Sequence, residues 1–324
     1  MKRILTVTLA ALGLAIFAAP ATAQQYPSKT VTIIVPYPAG GPTDQTARLI
    51  AQEMSDKLKQ AVVVENISGG GTTIATQRAA RAAPDGYTIL IHNLQISANP
   101  ALYKNLPFDT EKDLKPVVFI NKNPLVLVGR KSLPANTLKE FLDLMKKQPL
   151  KTATPGVGAT GHLASSLLAQ EAGAKIDLIP YRGAAPALQD ILGEHVDVFF
   201  ATPQSVAQQV SNGTMKAYGI TSKEKADELP NVESFVSALG PKLEILYWHA
   251  MFVPTGTPDE IVNKLNTTMQ EILNDPKIVK TWAATGVSVY AKDQQTVAAA
   301  AKTFKSEIDR WGQVVRDNKI EGAL

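Results

Sequence analysis

The sequence predicts an α/β protein of two lobes, each a mostly parallel sheet covered by helices, and three observations predict it. Short, almost wholly apolar runs alternate with helix-period segments from residue 30 onward, as strands buried on both faces require. Long extended stretches at 114–130 and 244–254 interrupt this alternation, so a second α/β unit is inserted into the first through two crossing strands. The turns after the strands are rich in Gly, Pro, Thr and Ser in both units. In open α/β sheets ligands sit beyond the carboxyl ends of the strands, which makes the cleft between the lobes the natural site.

In chain order, Lys2 and Arg3 precede an apolar run at 4–19 and then Ala21-Thr22-Ala23. This is the pattern of a signal peptide over 1–23, cleaved before Gln24. The run is shorter than the ~20 residues needed to span a bilayer. The first lobe is expected at 24–122 and 251–324, the second at 123–250. In the first, strands fall at 30–36, 61–65 and 87–91, and helices at 43–58 and 72–81. In the second, helices at 137–147, 159–173, 186–192 and 203–212 alternate with strands at 151–154, 176–181, 196–201 and 215–221. Three helical patterns close the chain at 259–273, 276–285 and 294–317.

A chain of 324 residues can bury a large core without covalent staples. It has no Cys, which removes disulfides, thiolate metal sites and Cys nucleophiles together. The formal charge is only +4, and the basic residues are scattered without an aromatic stripe. No nucleic-acid footprint is therefore expected.

The strand-end turns supply the candidate ligand set. After the first strand stand Tyr37, Ala39, Gly40, Gly41, Thr43 and Asp44, after the second Gly71 and Thr72, and after the third His92, Asn93, Gln95 and Ser97. The inserted lobe offers Gly158, Ala159, Thr160 and His162, then Arg182, then Thr202. Glycines let backbone approach a ligand closely, and a helix start with free N–H groups binds carboxylate or phosphate without a basic side chain. Taken singly, Thr43, Asp44, Thr72 and Thr160 are ordinary N-caps. Arg182 either clamps a carboxylate or ties down a neighbouring loop.

Competing chemistries find less support. Gly156-x-Gly158-x-x-Gly161 formally matches a dinucleotide fingerprint, but Asp177 begins the following strand where the ribose-binding acid should end it. No Walker A, Gly-x-Ser-x-Gly or His-Glu-x-x-His pattern occurs, and the four histidines share no ligand spacing. No cofactor or metal is therefore expected. An exported enzyme acting on a small anion, with His92 or His162 as general base, is the rival reading; it lacks an evident nucleophile or electrophile.

Five segments then carry a resemblance in order along the chain: Pro36-Tyr37-Pro38-Ala39-Gly40-Gly41-Pro42-Thr43-Asp44, Pro84-Asp85-Gly86-Tyr87-Thr88, Asn99-Pro100-Ala101-Leu102-Tyr103, Pro180-Tyr181-Arg182-Gly183-Ala184-Ala185-Pro186 and Pro254-Thr255-Gly256-Thr257-Pro258. With them the chain resembles the periplasmic solute-binding proteins of tripartite tricarboxylate transporters, the Bug or TctC family. The resemblance implies a Venus-flytrap fold of the type II periplasmic binding protein kind. It also implies a carboxylate ligand gripped by the 37–44 loop, mainly through backbone amides and ordered water, delivery to a large and a small membrane subunit, and no catalysis. His92-Asn93-Leu94-Gln95 stands where many relatives carry smaller residues, which makes His92, Asn93 and Gln95 candidates for tuning the ligand. The resulting expectation is a monomeric periplasmic receptor for a small organic carboxylate, an aliphatic or aromatic dicarboxylate. A periplasmic sensor presenting the same ligand looks identical in sequence.

Overall fold

The computed structural model describes residues 26–320, so the expected signal peptide lies outside the described residues. The first lobe grows from β1 (Val31–Val35), whose valines and isoleucines suit a strand covered on both faces. Ile33 and Val35 join Ile50 and Met54 of α1 (Pro42–Leu58) in one core. Ile34 joins Ala75 and Ala79 of α2 (Thr73–Ala80) on the opposite face. β2 (Val62–Asn66) and β3 (Thr88–Asn93) flank β1 in parallel, one on each side.

α3 (Gln95–Leu102) follows β3 directly and contains Pro100. Pro100 has no N–H to give the Ile96 carbonyl, so this short helix lacks that bond of its ladder. β4 (Leu114–Pro124) then runs to the crossing, and β5 (Val126–Arg130) begins the second lobe one residue later. There α4 (Leu138–Lys147), β6 (Leu150–Thr154), α5 (Thr160–Ala172), β7 (Ile176–Pro180), α6 (Ala184–Leu192), β8 (Val198–Ala201), α7 (Pro203–Ser211) and β9 (Met215–Ile220) succeed one another. α4 shows why sequence located these elements well. Thr137 caps it by accepting from the Glu140 N–H at 3.1 Å, Glu140 reaches back to the Asn136 N–H at 2.6 Å, and Leu138, Phe141 and Met145 bury one stripe. After α8 (Phe235–Leu239) the chain returns along β10 (Leu246–Pro254). It closes with α9 (Asp259–Leu273), α10 (Pro276–Ala283), β11 (Ser288–Val289) and α11 (Val297–Asp317).

The first sheet has the order β11-β4-β10-β3-β1-β2 and the second β7-β6-β8-β5-β9. Both are mixed rather than mostly parallel: β10 is antiparallel to β3 and β4, and β5 to β8 and β9. The cause is the insertion itself, since a strand arriving from the other lobe runs against the strands of the βαβ units it joins. The pairing also puts residues 123–124 and 246–250 in the first sheet, where sequence assigns them to the inserted lobe.

Topology fixes where loops converge. β1 lies between β2 and β3, and β6 between β7 and β8, so each lobe has a switch point, at β1/β3 and at β6/β8, where successive connections leave on opposite faces. The crossings are pinned by Thr221, fully buried, whose hydroxyl accepts from the Leu125 N–H at 2.8 Å and donates to the Ile245 carbonyl at 2.6 Å. α11 packs on α3 and β4 and touches α5, and Glu307 accepts from the indole N–H groups of both Trp248 and Trp311. Among the described residues no helix is long and apolar enough to cross a membrane.

Candidate functional site

At the β1/β3 switch point, Gly41 is the N-cap of α1, in extended conformation, with Pro42 as the first helical residue. Thr43 and Asp44, candidate caps by sequence, lie inside the first turn instead. Proline takes a position where its missing N–H has no consequence, and the N–H groups of Thr43 and Asp44 lack intrahelical partners by position. They stand at the positive end of a 17-residue helix. Asp44 braces this loop: its Oδ2 accepts from the Gly40 N–H at 2.8 Å and Arg48 Nε at 2.9 Å, and its Oδ1 accepts from Asn66 Nδ2 at 3.0 Å. Burial opposes its ionisation, but Arg48, Gly40 and Asn66 outweigh that and hold the carboxyl below the usual range. Ala39 and Gly40 remain exposed, with Gly40 at φ +86°.

Behind the loop lies a polar floor whose hydrogens can be assigned one by one. Asn121 donates its Nδ2 to Thr46 Oγ1 at 3.3 Å, so its Oδ1 faces His249 Nδ1 at 2.7 Å, and that nitrogen carries the hydrogen. Burial lowers the pKa of His249 to about 3, so the ring is neutral and Nε2 is an acceptor. Thr43 donates to it at 3.1 Å. The Tyr247 hydroxyl, 3.2 Å from Thr43 Oγ1, must then donate to Thr43. Asn93 Nδ2 donates to Tyr247 at 3.0 Å and to Thr43 at 3.3 Å. Asn93 Oδ1 accepts from the Tyr37 hydroxyl at 2.7 Å and from the Gln95 N–H at 3.0 Å. Gln95 Oε1 lies 3.1 Å from the Tyr37 hydroxyl, and its Nε2 donates to the Gly71 carbonyl at 3.1 Å.

Tyr37, Thr43, Gly71, Asn93 and Gln95 of the sequence-derived set are thus joined in one network. Asn121, Tyr247 and His249 were missed as site residues, although they lie on the two stretches that sequence reads as crossings. His249 reads by sequence as packing beside Trp248. In the structure Tyr247 and His249 approach Thr43 from a strand some two hundred residues away, and no local pattern announces that.

The neighbouring candidates do other things. Thr72 caps α2 in the left-handed region, at φ +82°, without a side-chain cap bond. Its hydroxyl instead accepts from Asn99 Nδ2 at 3.3 Å. A Cβ on Gly71 would fall 1.8 Å from the Tyr103 hydroxyl oxygen, so only glycine fits there. His92 lies within β3 rather than after it, fully buried, because pairing with β10 lengthens the strand. Its Nδ1 lies 2.8 Å from the Asn93 N–H and 3.0 Å from the Asn93 carbonyl, and its Nε2 has no partner among the described residues. Burial lowers its pKa to about 3. Ser97 donates to the Leu94 carbonyl at 2.6 Å and is fully buried.

In the second lobe Ala159, not Thr160, caps α5. The Thr160 hydroxyl is buried and unpartnered among the described residues. The Gly158 N–H donates to His162 Nδ1 at 3.0 Å, which places that ring's hydrogen on Nε2; burial lowers its pKa and keeps it neutral. Gly158, at φ +74°, lies against Leu102 of the first lobe: a Cβ would fall 2.4 Å from Leu102 Cδ1. Thr202 caps α7 at the β6/β8 switch point without a side-chain cap bond. Arg182 is exposed after the edge strand β7, away from that switch point. Among the described residues no group of three or more His, Asp or Glu is placed to hold a metal. A cavity of about 540 Å³ lined by Glu111, Lys115, Thr257 and Asp259 lies at the opposite ends of β4 and β10, away from the crossings.

Residues 46–320 match the model of the tripartite tricarboxylate transporter family receptor, TctC. The chain belongs to this family. Protein BugT of Bordetella pertussis is 33% identical over 322 residues, covering 98% of each chain. The solved periplasmic binding protein BugD is 34% identical with a TM-score of 0.82, over 91% of this chain and 99% of that one. A Rhodopseudomonas palustris protein solved with adipate is 29% identical (TM-score 0.83, covering 91% and 99%). MatC from the same organism, solved with bound malate, is 32% identical (TM-score 0.80, covering 90% and 100%). The two-lobed fold of the TctC receptors is therefore the fold of this chain, and solute binding is the role that the family carries.

Proposed function

We propose that this TctC receptor is exported to the periplasm, binds a small organic dicarboxylate between its lobes, and delivers it to the large and small membrane subunits of a tripartite tricarboxylate transporter. The observation that carries the proposal is the pair of helix N-termini at the two switch points. The start of α1 offers the Thr43 and Asp44 amides beside Ala39–Gly41, and Arg48, one turn further on, is engaged by Asp44. The start of α5 offers the Thr160 hydroxyl and the His162 Nε2 hydrogen. Each is a donor-rich, neutral place for one carboxylate, and two of them suit a ligand with an anionic group at each end. Adipate and malate, the ligands of the two Rhodopseudomonas palustris proteins, are such molecules. Closure around the ligand would favour one lobe arrangement for a membrane partner.

The two histidines that a catalytic reading would use as base are poorly placed for it: His162 receives the Gly158 N–H on Nδ1 and so has no free lone pair, and His92 is fully buried with its Nδ1 against the backbone of Asn93. A thermal-shift screen of the protein lacking residues 1–23 against mono-, di- and tricarboxylates tests the proposal. A ligand at about a hundred times its Kd adds about 2.7 kcal/mol of stability. The expected outcome is a large shift with a dicarboxylate that mass spectrometry recovers unchanged. A shift with no carboxylate, or conversion of the added compound, would overturn it.

A further inference from the structure

In the floor of the first lobe the hydroxyl hydrogens of Thr43, Tyr247 and Tyr37 are committed inside the protein, and this determines what these groups can offer a ligand. The Thr43 hydrogen goes to His249, the Tyr247 hydrogen to Thr43, and the Tyr37 hydrogen to Asn93, at 3.1, 3.2 and 2.7 Å. The Tyr247 oxygen already accepts from Asn93. The Tyr37 oxygen receives no donor among the described residues, and the residue is only half-buried. A carboxylate needs donors, so this oxygen suits a carboxylate poorly and a hydrogen-bond donor well. The Asn93 amide that accepts from Tyr37 also donates to Thr43 in the first turn of α1, which puts the Tyr37 oxygen close to where the near carboxylate is proposed to sit.

We propose that Tyr37 acts as a hydrogen-bond acceptor for a hydroxyl carried on the carbon next to the near carboxylate, so that the preferred ligands are 2-hydroxydicarboxylates over their deoxy counterparts. The inference rests on the dicarboxylate reading of the same cleft. The Tyr37–Asn93–Tyr247–Thr43–His249 chain fixes the direction of the Tyr37 hydroxyl. His249, donating to Asn121, forces Thr43 to donate to it, and the Asn93 amide is held with its oxygen towards Tyr37 by the Gln95 N–H. Phenol is the only form available, since burial pushes the Tyr37 hydroxyl far above its ordinary pKa. A site built to pair with a ligand hydroxyl discriminates against the analogue that lacks it, because the protein group is then left unpaired.

The test is isothermal calorimetry with two matched pairs, malate against succinate and 2-hydroxyglutarate against glutarate, on the wild type and on Tyr37→Phe. The wild type should favour the hydroxylated member by about tenfold or more, and Tyr37→Phe should bring that ratio close to one. A wild-type ratio near one overturns the inference even if the variant fails to fold. So does a variant in which both members weaken equally, the signature of a water that links Tyr37 to the carboxylate. If other carboxylates bind but none of these four does, the hydroxy-acid assignment alone falls. If no carboxylate binds at all, the receptor reading falls with it.

Discussion

Two buried histidines should make the protein lose stability on acidification in a range where carboxylates contribute little. His92 and His249 sit fully enclosed, and desolvation lowers each pKa to about 3, against about 6.5 in an unfolded chain. Between these values the unfolded state binds a proton that the folded state does not, so stability falls as pH falls from about 6.5 towards 3. Each histidine should cost about 2 kcal/mol between pH 7 and pH 5, and the pair about 4 kcal/mol. His162, also depressed by burial, acts in the same direction. Urea denaturation at the two pH values measures the difference, and His92→Leu and His249→Gln should each remove about half of it. Equal stability at pH 7 and pH 5, or a loss unchanged in both variants, would refute the reasoning that these rings are held neutral.

Four further outcomes follow from single contacts. Gly158→Ala places a Cβ against Leu102 of the other lobe at a positive φ, and should weaken ligand affinity by about tenfold or more through impaired closure, read by calorimetry. Gly71→Ala, meeting the Tyr103 hydroxyl, should lower stability by about 2 kcal/mol or more in a urea melt. Thr221→Val removes a hydroxyl that binds Leu125 and Ile245 and should cost about 1–3 kcal/mol in the same assay. Asp44→Asn leaves a single acceptor oxygen where Gly40 and Arg48 donate on one side and Asn66 on the other, should cost about 1–3 kcal/mol, and should loosen the 37–44 loop to proteolysis.

What sequence could show was whatever local chemistry determines. The apolar run of β1, the Thr137 cap of α4 and the period of α9, whose expected span 259–273 is the observed one, each need only a few neighbouring residues. The carboxyl end of β3 was not legible, because His92 and Asn93 become strand only by pairing with Ala250 and His249. The mixed sheets were illegible for the same reason: their direction is set by strands arriving from the other lobe. In the site, the 37–44 turn announced itself through glycine and proline. Its capping did not, since Asp44 closes the loop from inside the helix while Gly41 occupies the cap. The floor depends on Asn121, Tyr247 and His249 meeting Thr43 and Thr46 across the fold.

The central claim is that the α1 N-terminus holds a ligand carboxylate through backbone amides. A titration of malate into the isotope-labelled protein, followed in its amide spectrum, tests this most directly. Saturable shifts concentrated at the amides of Gly40, Gly41, Thr43 and Asp44, with a second group at Gly158 to His162, are the predicted result. Saturable binding that leaves the 40–44 amides in place would contradict the account.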